Sequence, residues 1–115
     1  MQLNIRLRNV ERDEELRDSI DRRVRFALAR FGDRIERADI VLTDVNGPRG
    51  GWDQRCMLKV VLPPTKPAVI EVTDCDALAA VGRACDRAVR HVRDQLARRR
   101  DLKRRIGFVL LNAVG

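Results

Sequence analysis

The sequence predicts an α+β fold: a two-layer sandwich in the order β-α-β-β-β-α, with a four-stranded sheet carrying two helices on one face. Three observations lead there. Four short segments alternate apolar and polar residues, the signature of strands with one buried face. Two longer segments repeat apolar residues every three or four positions, the signature of helices with one buried stripe. Each element thus offers a single apolar face, so two layers bury them all and leave the far side of the sheet in water. At 115 residues, one core is expected, because two would each be too small to hold together.

The first strand is read at residues 2–8, where Leu3, Ile5 and Leu7 alternate with Asn4, Arg6 and Arg8. Asp13 is the expected N-cap of helix one. Its carboxylate can accept from the unpaired backbone N–H groups of the first turn, and Glu14 and Glu15 suit the positive end of the helix dipole. Leu16, Ile20, Val24, Ala27, Leu28 and Phe31 make the stripe, and Gly32 is expected to end the helix. A second strand is expected from Ile35 to Val45, then a turn-rich loop, Asn46-Gly47-Pro48-Arg49-Gly50-Gly51. Strand three points Cys56, Leu58, Val60 and Leu62 inward and Arg55, Met57, Lys59 and Val61 outward. Pro63-Pro64-Thr65-Lys66-Pro67 stops it. In strand four Ala68, Ile70 and Val72 face in. Asp74 or Asp76 caps helix two, whose stripe is Leu78, Val81, Cys85, Ala88, Val89, Val92 and Leu96. A helix reaching Arg105 would be about 45 Å long. Residues 1–105 are expected to form the functional domain, with 106–115 a short apolar tail.

Composition removes several function classes. The only histidine is His91 and the only serine Ser19, which leaves no evident base and nucleophile for acid–base or covalent catalysis. No enzyme activity is expected. Three cysteines, Cys56, Cys75 and Cys85, contain no C-x-x-C spacing and form no zinc set with a single histidine. No metal or cofactor is expected, and Cys56 and Cys85 read as buried thiols of a reducing compartment. The loop glycines lack the lysine and hydroxyl of a phosphate-binding loop. Neither a membrane span nor a leader's apolar core is visible, so the cytoplasm is the expected location.

Charge is the positive signal. Lys plus Arg total 24 against 17 Asp plus Glu, and 21 of the 24 are Arg. Residues 1–75 hold 14 basic and 13 acidic side chains, whereas residues 76–115 hold 10 and 4. The surplus is therefore +1 in the first part and +6 in the second. On helix two, Arg83, Arg87, Arg90 and Arg98 fall on the side opposite the stripe. Ion pairs such as Asp86–Arg90 and Arg90–Asp94 could knit a solvated face, but the acids are too few. Surplus positive charge on one face is unfavourable alone and favourable against a phosphate backbone. Arg49, at the tip of the glycine-rich loop, is a further phosphate candidate. Aromatic residues are only 3%, which argues against a platform of stacked bases.

The order of elements, Phe31-Gly32-Asp33-Arg34-Ile35 before strand two, Asp44 to Gly51, and Asp76-Ala77-Leu78-Ala79-Ala80-Val81 leading to Ala84-Cys85-Asp86-Arg87-Ala88 together resemble the ribosome hibernation-promoting factor and ribosome-associated inhibitor A family. The resemblance spans about residues 2–100. It implies a bacterial, stress-response protein that binds the small ribosomal subunit over the decoding region. There it would overlap the mRNA and tRNA sites and inhibit translation. Its implied partner is ribosomal RNA, with no membrane and no small-molecule substrate, and it would be a monomer off the ribosome. The family's basic helix-two positions match Arg83, Arg87 and Arg90, with Arg98 following. Those of helix one match Arg22, Arg25 and Arg30. Long members add a second domain for ribosome pairing, and short members often have a polar tail where this one is apolar. Three other readings remain: a general double-stranded-RNA binder, a small RNA-processing enzyme, and an assembly module using the apolar tail.

Overall fold

The computed structural model describes residues 1–10, 13–45 and 53–114, apart from the side chains of residues 113 and 114. The elements are β1 (Gln2–Arg8), α1 (Glu14–Leu28), a 3-10 turn (Ala29–Arg34), β2 (Arg37–Asp44), β3 (Gln54–Val61), β4 (Ala68–Asp74) and α2 (Ala77–Val114). The sheet runs β1-β2-β3-β4. β1 pairs parallel with β2, and the other two pairings are antiparallel. Both helices cover one face: α2 lies on β3 and β4, and α1 lies beside α2 and against β1. This is the expected α+β sandwich.

The strand register follows from burial. Ile40, Leu58 and Ile70 stand in one cross-strand row, as do Leu42, Cys56 and Val72. Ala38, Ile40, Leu42, Cys56, Leu58 and Val60 are all at most 1% exposed. Slipping a strand by one residue would put its charged neighbours inside, so the alternation specifies one pairing. Leu3, Ile5 and Leu7 are only half-buried, because β1 is an edge strand that α1 covers in part. Ile20, Val24 and Leu28 of α1, and Val81, Cys85 and Val92 of α2, close the core from above.

The helix termini are built as the sequence implies, with two refinements. The Glu15 N–H donates to Asp13 Oδ1 at 2.9 Å. Asp76 caps α2, accepting from the Ala79 N–H at 2.9 Å, while Asp74 accepts from the Asp76 N–H at 3.3 Å one step earlier. The α-helical part of α1 stops at Leu28, and Gly32 lies four residues on at φ 56, ψ −134. Gly32 is thus a positive-φ kink inside the 3-10 segment, beyond the end of the helix, rather than the helix's own stop. Only such a residue reverses the chain there without a Cβ penalty.

Two expectations about α2 are corrected. Leu78 is 45% exposed: it lies on the stripe's face, but in the first turn, where neighbouring elements no longer cover it. In its place Ala80 and Ala84, both fully buried, widen the contact and let α2 lie close on the sheet. Nor does helix give way to a tail after Arg105. α2 continues as one helix of 38 residues to Val114, about 57 Å at 1.5 Å per residue. The strands span only about 25 Å, so roughly half of α2 projects beyond the sheet, and the molecule measures 69 × 22 × 16 Å.

Cys56 and Cys85 are buried and Cys75 is exposed. Burial pushes the Cys56 thiol up to about 12 and the Cys85 thiol up to about 11, so neither supplies thiolate near neutrality. The Cys75 thiol donates to Asp74 Oδ1 at 3.4 Å, and that carboxylate raises its pKa. A thiol reagent at neutral pH is expected to modify Cys75 alone, and slowly, in the native protein, and all three cysteines after denaturation. Mass spectrometry counts the adducts; rapid native labelling of Cys56 or Cys85 would contradict the packing.

Candidate nucleic-acid interface

The outer surface of the helical layer is made from the sides of α1 and α2 that turn away from the sheet. With about 100° per residue, Arg83, Arg87, Arg90 and Arg98 fall within about 80° of one another, and all four are exposed. Their surroundings differ. Arg83 Nη1 donates to Asp74 Oδ2 at 3.1 Å and to the Thr73 carbonyl at 3.4 Å. It pins the start of α2 to the end of β4, so part of its charge is already answered. The Asp76 backbone N–H and then the Arg83 guanidinium hold the Asp74 carboxyl below its ordinary value. Among the described residues no ion pair engages Arg87, Arg90 or Arg98, and the sequence-level pairs Asp86–Arg90 and Arg90–Asp94 do not form.

The helix-one arginines divide between two flanks. Arg22 and Arg25 line a shallow outer cleft with Asp18, Asp21 and Arg23, and Arg25 bonds Asp21 one turn back. Arg30 stands on the flank that meets α2. There a groove of about 340 Å³ runs between the helices, lined by Arg23 from α1, by Arg30 from the 3-10 turn that follows it, and by Asp86, Arg90 and Arg93 from α2. The structure therefore brings Arg30 and Arg90 together and adds Arg23 and Arg93, which the sequence reading passed over. Their signal was available as flank positions on each helix wheel. Knowing which flanks meet requires the tertiary adjacency. Gly82 leaves room for the Arg23 guanidinium, whose Nη2 lies 3.1 Å from where a Cβ would stand.

Farther along α2, Arg98 and Arg99 border a cleft with Pro64 and Thr65, and Gln95 Nε2 donates to the Lys66 carbonyl at 3.1 Å. Arg99, Arg100 and Lys103 face Arg34 across a second cleft of about 240 Å³. Positive charge thus continues along α2 past the edge of the sheet. Arg49 lies outside the described residues.

The open face of the sheet is the competing cationic surface, with Arg6, Arg8, Arg37, Arg55 and Lys59. It is partly neutralised from within. Arg55 pairs with Glu71 at 3.1 Å, and Arg37 with Asp39 at 3.0 Å. Asp39 also accepts from Asn4 Nδ2 at 2.7 Å, the main reason its pKa is lowered, so it stays ionised opposite Lys59 in the ladder. The helical face holds the less compensated charge. His91 is exposed and Ser19 half-buried. Among the described residues no group of three or more His, Cys, Asp or Glu could hold a metal, and no helix is long and apolar enough to cross a membrane.

Fold and surface together define a small two-layer α+β domain whose helical layer is its cationic side. The chain belongs to the sigma 54 modulation protein / S30EA ribosomal protein family, whose model matches residues 3–100. This is the family of hibernation-promoting factors, and the chain is a ribosome-associated modulation protein. Its structure is similar to the N-terminal domain of Thermus thermophilus Protein Y, with 28% identity and a TM-score of 0.64, over 80% of this chain and 96% of that one. It also shares the fold of a ribosomal subunit interface protein from Coxiella burnetii, with 14% identity and a TM-score of 0.58, over 88% and 99% of the two chains. Among curated proteins none matches it in sequence.

Proposed function

We propose that this protein binds the small ribosomal subunit through ribosomal RNA near the decoding region. It would thereby block the mRNA and tRNA sites and inhibit translation under stress or in stationary phase. The observation that carries the reading is the uncompensated arginine face of the helical layer: Arg87, Arg90 and Arg98 on α2, with Arg30 meeting Arg90 across the interhelical groove. Arg83, Arg22 and Arg25 extend the contact, Arg49 adds a further phosphate contact, and residues 1–105 supply it. A rigid surface of this kind recognises folded RNA by shape and phosphate position and needs no cofactor. The protein acts in the cytoplasm, as a monomer off the ribosome.

Sedimentation with purified small subunits across a salt series tests this. Each phosphate contact releases counterions, so four contacts should weaken binding about a hundredfold between about 50 and 200 mM salt. Plain duplex RNA should bind more weakly than the subunit at every salt concentration. Equal affinity for both would make the protein a general double-stranded-RNA binder, and failure to travel with subunits would reject the ribosomal site.

A further inference from the structure

Phe26 is the most exposed large apolar side chain of the described residues, at 79%. It stands on α1 where the interhelical groove opens, and it lines both that groove and the outer cleft that holds Arg22 and Arg25. An aromatic ring in water on a monomer's surface contributes nothing to the core. This one is set among arginines, and its neighbours Arg23 and Arg30 line the same groove as Arg90 and Arg93, against one acid, Asp86. Of the other two phenylalanines, Phe31 is buried and Phe108 lies far along α2.

From this placement we infer that Phe26 and the groove beside it form a subsite for one unpaired nucleotide, with the base stacked on the ring and the phosphate held by the groove arginines. The inference rests on the RNA-binding reading above and adds to it a base contact that arginines alone do not provide. Four guanidinium groups against one carboxylate leave a net charge of +3 around the groove, suited to a phosphodiester and its neighbour. The groove's volume of about 340 Å³ is at the small-ligand end of binding pockets, which run ~300–1,000 Å³. Arg23, whose guanidinium lies over Gly82, forms one wall. A base swung out of a loop or bulge has its face free for the ring, whereas a base inside a duplex does not.

The three phenylalanines make a direct test possible. The full chain is prepared with fluorophenylalanine and followed by fluorine NMR, with Phe26→Leu assigning the resonance. A short oligoadenylate is expected to move the Phe26 signal and leave Phe31 in place. A blunt RNA duplex of equal phosphate count should move it less. Phe26→Leu should weaken oligoadenylate binding about tenfold, the effect of losing one base stack, with no change in salt dependence, and Phe26→Trp should restore it. The proposal is overturned if the oligonucleotide fails to bind, if it binds with Phe26 unmoved, if the Leu variant matches the parent, or if only an acidic peptide moves the signal. Subunit sedimentation separates this from the ribosomal reading. A Phe26 response without subunit binding keeps the subsite and rejects the ribosomal target. Subunit binding with an inert Phe26 does the reverse.

Discussion

Replacing both Arg87 and Arg90 by glutamate is expected to abolish binding to small subunits and translation inhibition while leaving the fold intact. The two residues sit one helical turn apart on the exposed side of α2 and have no ion pair among the described residues. The double change shifts the local charge by four units, turning two attractions into two repulsions beside a phosphate backbone. Losing two contacts and gaining two repulsive charges should cost at least about a hundredfold in affinity at low salt. Neither side chain touches the core, so the circular dichroism spectrum and the urea midpoint should stay at the parent's values. A folded variant that binds subunits as tightly as the parent would move the RNA surface to the open sheet face, where Arg6, Arg8, Arg55 and Lys59 would then be the residues to replace.

Leu58→Ala should produce the largest loss of stability. Leu58 is fully buried in β3 between Ile40 and Ile70, beneath α2. Truncation removes three buried carbons and leaves a cavity that a two-sided sheet position can only partly close. The expected cost is about 2–5 kcal/mol, a large share of the ~5–15 kcal/mol that holds a domain folded. Val69→Thr is the control: it lies on β4, at 56% exposed, and should stay within about 0.5 kcal/mol of the parent. Urea unfolding measures both. Equal midpoints for the two variants would mean that the inner and outer faces have been exchanged.

The contrast between Leu58 and Val69 shows why the sheet was legible. A strand with one buried face writes that face into the chain at every second residue, so Cys56, Leu58 and Val60 identified themselves without any knowledge of their partners. Helices write only a direction. The stripe on α2 located the core side, yet it could not say that the first turn extends past its cover, which exposes Leu78, or that the alanines at 80 and 84 would be fully buried. The arginine face was legible for the same reason as the core, being its geometric complement on one helix. The groove was not. It exists because Arg23 of α1 and Arg30 of the 3-10 turn after it meet the Arg90–Arg93 flank of α2, a relation between elements that neither periodicity contains. Helix continuity past Arg105 was also hidden, since a dense run of like charge followed by apolar residues carries no single stripe.

That continuity has a consequence for how the molecule opens. Residues 80–92 of α2 are clamped between α1 and the sheet, and exposing their amides requires the whole domain to unfold. Beyond Arg98 the same helix has few neighbours, and from Arg100 nearly every described side chain is exposed. A segment of that length is marginal by itself in water, so its hydrogen bonds can break one turn at a time from the C-terminal end without disturbing the core. One geometric helix therefore contains two cooperative regimes. Amide exchange should be slowest at its buried turns and should quicken steadily along the projecting half.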